Sequence, residues 1–422
     1  MPRLRRGEFS VAGRERFHAE AEFYGDLETE FFLNMQTFLK DELGVKPLVI
    51  GNADHTYWIP NQPMMRANAR LDFIDGHVYW QHPAIWGARN TPMVDEPLMS
   101  TLAKLSRSPF LGRPFTVSEV NHPNPSEYAA EMIPLLASYG AFQDWDGIYF
   151  YTFEAKEGDK WDRFVADNFD ITLDPVKWTQ MRVGALLFSR ADIAAAKQTV
   201  ARTYSKEQVN ESMRLPESER PYFTPGFPRS LALRHGVRIR ALDAEPTATL
   251  PPDPAPPYRS DTGQLAWHLP DGGRGVVTID APGTQGLVGF LGQRPRQTTR
   301  HLDAEVKNEF AAITLSSLTP EPIQRSSRLL LTACARWQNT GSTWNERRTL
   351  WTEWGKAPTL IEPVTGWVVL REMDGAVALR ITPLDGAGKP MGPPANGRRL
   401  EIGWEVTLGN QATNWYLIEI VR

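Results

Sequence analysis

The chain has 422 residues and a formal charge of −4, with 46 basic side chains against 50 acidic ones. That length accommodates two or three domains. The near balance, with no Lys or Arg cluster along a helix face, argues against nucleic acid or an anionic membrane surface as a partner.

The single cysteine, Cys334, excludes an intramolecular disulfide. No apolar run approaches the ~20 residues of a membrane span. The basic start, Met1-Pro-Arg-Leu-Arg-Arg-Gly7, leads into no apolar segment, so it does not read as a secretory signal and a soluble, cytoplasmic protein is expected.

Residues 14–43 come first. After Phe17, the side chains Phe23, Leu27, Phe31, Met35 and Phe38 recur at spacings of three and four between charged positions, and Gly44 closes the run. This predicts one long amphipathic helix. Pro47 to Gly51 reads as a short apolar strand, and its loop, Asn52 to Trp58, carries Asp54 and His55. Leu71 to Trp80 is a second strand, with Asp75, His77 and Tyr79 alternating along one face. Residues 94–107 read as helical. The third strand, Phe115 to Val117, runs into Glu119, Asn121 and His122 before Pro123 and Pro125 stop it. Ser126 is the expected cap of a helix over 126–139. The fourth strand, Gly147 to Phe153, follows Trp145 and carries Tyr151, and a helix over about 175–198 comes after it.

Repeated strand–helix units with apolar strands predict a parallel sheet with helices packed outside. The strand ends then converge on one face, where α/β proteins place their chemistry. After Lys197 the character changes. Residues 200–255 combine a short helix with many prolines, ending in Leu250-Pro-Pro-Asp-Pro-Ala-Pro-Pro257, and read as an extended connector. From 256 onward, short alternating runs are broken by Gly, Pro and Asp-Gly signals. Three regions are therefore expected: an α/β unit over 1–199, the connector over 200–255, and an all-β sandwich over 256–422.

With these elements in place, the chain resembles the clan A glycoside hydrolases, retaining enzymes built on a (β/α)8 barrel. Thr116-Val-Ser-Glu119 is similar to the end of barrel strand seven, which carries the nucleophilic Glu. Asp75-Gly-His-Val-Tyr79-Trp80 is similar to the sugar-contacting end of strand six, and Asp144-Trp-Asp-Gly-Ile-Tyr-Phe-Tyr151 to strand eight. The resemblance implies a partial TIM-type barrel of about four β/α units with an accessory β-domain, β-galactosidase-like or cellulase-like in activity. Strands one to four have no counterpart ahead of helix 14–43. The acid/base Glu, which follows an Asn at the end of strand four in that clan, is carried over to no residue.

Retaining hydrolysis needs two carboxylates ~5–5.5 Å apart. Glu119 is the expected nucleophile. Glu154, just past the fourth strand, is the candidate acid/base, weighed against a solvated loop charge beside Lys156. Asp54 and Asp75 are further carboxylates at strand ends, Asp54 reading as a partner for backbone or for a sugar hydroxyl. His55, His77, His82 and His122 lack the spacing of a zinc motif and read as ligands for sugar hydroxyls, with Tyr79, Asn121 and Tyr151 beside them. Trp58, Trp80, Trp86 and Trp145 read as stacking platforms for a pyranose ring. Trp337, Trp344, Trp351 and Trp354 read as packing between the sandwich and the α/β unit. No metal or cofactor is expected. The open edges of half a barrel predict a homo-oligomer whose partner completes it. The expected activity is cleavage of β-linked oligo- or polysaccharides. The alternative is a carbohydrate-binding or scaffold protein that has lost its acid/base.

Overall fold

Four short segments pair in parallel and in sequence order: β1 (Asp54–His55), β2 (Ile74–Tyr79), β3 (Phe115–Asn121) and β4 (Gly147–Phe150). The computed structural model from which this is read describes the chain apart from residues 1, 56–60, 83–88, 155, 159–161, 217, 220, 221, 223–225 and 293–295. Ile74, Val78, Phe115, Val117 and Val120 turn to one side of the sheet and are buried with the helices Met132–Phe142 and Pro175–Phe188 in one core. Asp174 caps the second of these helices, its Oδ1 accepting from the Val176 and Lys177 amides at 2.9 Å, with Pro175 at the first helical position.

The β-region is built on a nine-stranded and a five-stranded antiparallel sheet, with two further antiparallel strand pairs, Trp337–Thr340 with Lys356–Ile361 and Thr343–Trp344 with Trp351–Glu353. Period-two alternation gives the larger sheet two different faces. Leu287, Ile313, Leu329 and Leu331 pack against Leu302, Val368, Leu370 and Val406 of the smaller sheet. Val277, Val288, Ala312 and Cys334 turn the other way and join the core of the α/β helices. Trp267, fully buried, sits at this junction. Its ring lies 5.8 Å from Tyr139, and its Nε1 donates to the Val94 carbonyl at 2.8 Å. A parallel α/β sheet followed by antiparallel β-structure is therefore as expected.

Several local expectations are corrected. Pro47 to Gly51 is not a strand; the first strand is Asp54–His55. Ser126 does not cap its helix, which begins as a 3-10 turn at Ala129–Glu131. Residues 94–107 are two 3-10 turns and a short helix, Thr101–Leu105. Much of 200–255 is folded rather than extended. The strands Thr199–Tyr204 and Gly236–Leu242 pair in parallel, and Ile239 exchanges backbone hydrogen bonds with the segment at Pro109 and Leu111. Apolar Leu231, Ala232, Leu233, Val237 and Ile239 draw this stretch into the core.

The first helix, α1 (Arg14–Thr37), forms as the spacing predicts, yet its aromatic stripe is not covered. Phe17 is buried, whereas Phe23, Leu27 and Phe31 are 61%, 52% and 58% exposed. In the second aromatic cluster the rings pack chiefly on one another, and Trp337 alone of the four also lies against the core of the α/β unit. Trp337, Trp344 and Trp354 surround buried Trp351 at 5.4, 5.7 and 5.1 Å, and Asn339 Nδ2 of the same region donates to the Val165 carbonyl at 2.6 Å.

Because Trp267 joins both units, Trp267→Ala is expected to lower stability by ~3–5 kcal/mol in denaturant titration. The signals of the sandwich and of the α/β unit should shift together. A variant in which only one of them moves would contradict a shared core.

Candidate functional site

The site is built by an irregularity between β2 and β3. Gly76 pairs with Val117, but His77 pairs with Glu119, so Ser118 is an extra residue on β3; the β3–β4 ladder skips one residue between Val117 and Val120 as well. In an uninterrupted ladder Ser118 and Val120 would stand opposite His77 and Tyr79. The bulge places Glu119 and Asn121 there instead. Its unpaired amide is satisfied, since Ser118 N donates to Asp75 Oδ1 at 3.1 Å.

Glu119 is thereby brought to the face of Asp75, His77 and Tyr79. Its side chain is 32% exposed. The Tyr79 hydroxyl donates to Glu119 Oε2 at 2.6 Å, and His77 Nδ1 lies 3.6 Å from the same oxygen. The other ring nitrogen of His77 is 2.6 Å from Ser118 Oγ and 3.1 Å from Asp75 Oδ2. Asp75 is buried beneath and accepts further from Thr116 Oγ1 at 2.5 Å and Ser118 Oγ at 2.6 Å. His55 flanks His77 at 6.0 Å between ring centres. Around Tyr79 stand His82 at 5.1 Å, Phe169 at 5.4 Å and Tyr151 at 6.2 Å, which makes an aromatic wall. Asn121 Nδ2 holds the next loop, donating to the Tyr151 and Phe169 carbonyls at 2.5 and 2.7 Å.

The three histidines differ in charge preference. Burial opposes an imidazolium at His77, but the hydrogen bond it donates to Asp75 and the charges of Glu119, Asp75 and Asp54 outweigh it and raise its pKa. Burial and the neighbouring His77 lower the pKa of His55. Burial lowers that of His82, against the pull of Glu119. Among the described residues no three His, Cys, Asp or Glu side chains are grouped to hold a metal ion.

Of the residues anticipated from the sequence, Glu119, His77, Tyr79, Asn121, His55 and Tyr151 come together. Others do not. Trp80 alternates with Tyr79 and so faces the core, where it stacks on His122 and donates to the Thr91 carbonyl at 2.8 Å. His122 is fully buried beside Glu131 rather than in the cluster. Trp145 precedes β4 and packs on Phe115 at 5.5 Å, at the start of the strands rather than their ends. Asp54 is fully buried in an ion pair with Arg107, which donates from Nε at 2.9 Å and Nη2 at 2.5 Å, and Ser108 donates to it too. Glu154 accepts from the Lys156 amide at 2.9 Å in its own loop, while its Oε2 is buried with no hydrogen-bond partner among the described residues. Trp58 and Trp86 lie outside the described residues.

Ser118 and Phe169 were missed. Ser118 lies within the motif Thr116-Val-Ser-Glu119, but a bulge within a parallel pair has no sequence signature that separates it from a regular strand. Phe169 arrives on a long loop, and nothing in its neighbourhood marks it. Family models, curated proteins and solved structures give no match to the chain.

Glu131, behind the sheet, offers a check on this electrostatic picture. Complete burial pushes its carboxyl up to about 8, against the donated Met93 and Val94 amides at 2.6 and 3.0 Å. Its neighbour His122, 3.4 Å away, is held neutral by burial and by the charge of Lys177. Glu131 is then protonated in the fold and ionised in the unfolded chain between about pH 4.5 and 8, so its contribution to stability is present at the acid end and is lost as pH rises through that window. Glu131→Gln is expected to flatten the stability–pH curve there. An unchanged slope in denaturant titrations at pH 5, 6.5 and 8 would contradict a neutral Glu131.

Proposed function

We propose that the chain is a retaining glycoside hydrolase acting on β-linked oligo- or polysaccharides, with Glu119 as its nucleophile. The observation that carries this reading is a part-exposed carboxylate at the C-terminal end of a parallel strand, held by the Tyr79 hydroxyl at 2.6 Å and flanked by His77. A carboxylate so oriented can attack an anomeric carbon and form a covalent glycosyl ester, which water then hydrolyses. The half-exposed rings of His82 and Phe169 and the exposed ring of Tyr151 suit the apolar face of a sugar. Asn121 fixes the loop that carries two of them. On this reading β2 and β3 correspond to strands six and seven of a TIM-type barrel.

Protonation of the leaving group needs a second carboxyl. Asp75 belongs to the cluster but lies beneath His77, with its oxygens taken by Thr116, Ser118 and His77. Glu154 is the other carboxyl that the sequence offers, held in its own loop outside the cluster, with no hydrogen-bond partner for its Oε2 among the described residues. The alternative source is a second copy of the chain, which would also cover the exposed stripe on α1. Sedimentation should then show a dimer or larger assembly. A stable monomer with full activity would rule out the intermolecular source and leave Glu154 to be tested by substitution.

Glu119→Gln is expected to abolish hydrolysis of an aryl β-glycoside with an unchanged circular dichroism spectrum, and Tyr79→Phe to lower kcat/KM about tenfold through loss of one hydrogen bond to the carboxylate. Retained activity in Glu119→Gln would overturn the assignment. The burial of Asp75 favours a second reading, a sugar-binding protein without an acid/base. In that case an activated aryl glycoside, which needs little acid assistance, turns over slowly and an unactivated disaccharide does not.

A further inference from the structure

The four groups at the β2–β3 bulge form a chain of contacts. His77 Nδ1 faces Glu119 Oε2 at 3.6 Å, and His77 Nε2 faces Ser118 Oγ at 2.6 Å and Asp75 Oδ2 at 3.1 Å. Ser118 Oγ lies 2.6 Å from Asp75 Oδ2. Ionised carboxylates only accept, and His77 has one on each side, Asp75 within hydrogen-bond reach of Nε2 and Glu119 at ion-pair distance from Nδ1, so a ring with hydrogen on both nitrogens suits both neighbours. The sequence of donors is then His77 Nδ1–H toward Glu119, His77 Nε2–H to Ser118 Oγ, and Ser118 O–H to Asp75. We propose that His77 is a cationic positioning residue for Glu119, anchored by Asp75 and Ser118, and that its charge assists the release of Glu119 from the covalent intermediate. This rests on the reading of Glu119 as the nucleophile.

The electrostatics of the cluster support it. The titratable groups facing His77 are Asp75 on its own strand, Glu119 on β3, and Asp54 and His55 on β1. Asp54 is paired with Arg107, and His55 is kept uncharged by burial and by His77 itself. The remaining charges are two carboxylates and one imidazolium. The first step forms the bond from the anomeric carbon to a Glu119 oxygen and breaks the bond to the leaving oxygen, which takes a proton from the acid. Glu119 becomes a neutral ester, and Asp75 and His77 balance one another. In the second step water bonds to the anomeric carbon and gives its proton to the acid that was deprotonated in the first step, the bond to Glu119 breaks, and its electron pair returns to the Glu119 oxygen. Negative charge reappears beside the His77 cation, which stabilises the departing carboxylate. The same cation draws on the carboxylate before attack, so its removal does not slow the first step.

The effect should therefore appear in the partition between the two steps. With an activated aryl β-glycoside, His77→Gln is expected to lower kcat about tenfold, to leave kcat/KM nearly unchanged, and to give a pre-steady-state burst of about one equivalent of aryl alcohol. Ser118→Ala, at an exposed position and so mild for folding, should give a smaller change of the same kind. A parallel fall of kcat and kcat/KM without a burst would mean a merely structural His77 and would overturn the proposal. Protonation is read independently by NMR titration of the imidazoles in the full chain, with the His77 signals assigned from His77→Gln. His77 should titrate above the ordinary imidazole range and fall toward it in both Asp75→Asn and Ser118→Ala; a His77 that titrates normally in the unsubstituted protein overturns the proposal whatever the kinetics. If instead no adduct forms on Glu119 with a 2-deoxy-2-fluoro glycoside and Glu119→Gln stays active, it is the nucleophile reading that fails, and the titration still decides the charge on His77.

Discussion

One extra residue in β3 decides whether this sheet has a site at all. With a regular register Glu119 would turn toward the side that Val78, Val117 and Val120 share with the helices. An ionised carboxylate in such surroundings costs several kcal/mol unless it is paired. The bulge at Ser118 moves Glu119 to the opposite face, where Tyr79 and His77 meet it. Such an irregularity needs its own stabilisation, because it removes an amide from the ladder. Asp75 provides it by accepting both the Ser118 amide and the Ser118 hydroxyl. The carboxylate that holds the bulge is also the one that pairs with His77, so the geometry of the strand and the electrostatics of the site have a common origin.

The strand ends are fixed from behind by buried polar groups. Lys177, fully buried, donates to the His122 carbonyl at 2.7 Å and to Asn124 Oδ1 at 2.9 Å, and Asp174 lies 3.4 Å from it. Asp174 is at the same time the cap of helix Pro175–Phe188. The helix start and the exit of β3 are thus held to each other within a few residues of Glu119. At the other edge, Arg107 and Ser108 clamp Asp54 and so place β1, a strand of two residues that would be too short to stand alone. Burial of these charges is tolerable because each has partners; loss of one partner would leave an uncompensated ion.

The architecture was legible where periodicity is long. The succession of apolar segments and helices gave the parallel order β2 to β4 and alternation gave the antiparallel region, while β1 at Asp54–His55 had read as a loop after a strand at Pro47 to Gly51. The strand Asp75, His77, Tyr79 was read onto one face correctly because a period of two is a geometric property of the chain. The errors arose where tertiary packing overrides local pattern. Trp80 and Trp145 read as sugar platforms because a tryptophan beside a strand end looks the same whichever face it takes; a one-residue change of phase puts Trp80 in the core. Residues 200–255 read as a connector because prolines dominate the composition, while a few apolar residues between them suffice to pair two strands. The bulge itself was invisible, and with it the role of Ser118.

His77 and His122 show why residue type at a strand end does not fix a role. Both read as ligands for a sugar. His122 ends against the ring of Trp80 with no exposed surface, a protonated Glu131 on one side and the Lys177 cation on another. Every neighbour there disfavours an imidazolium, so this ring carries no charge to the face of the sheet where Glu119 lies. His77 lies between two carboxylates, and its neighbours demand the cation that burial alone would forbid. The sign of the surrounding charges, more than depth of burial, separates a histidine able to act on Glu119 from one that fills space. The charged cluster of this sheet is accordingly centred on the β2–β3 pair, with His77 between Asp75 and Glu119.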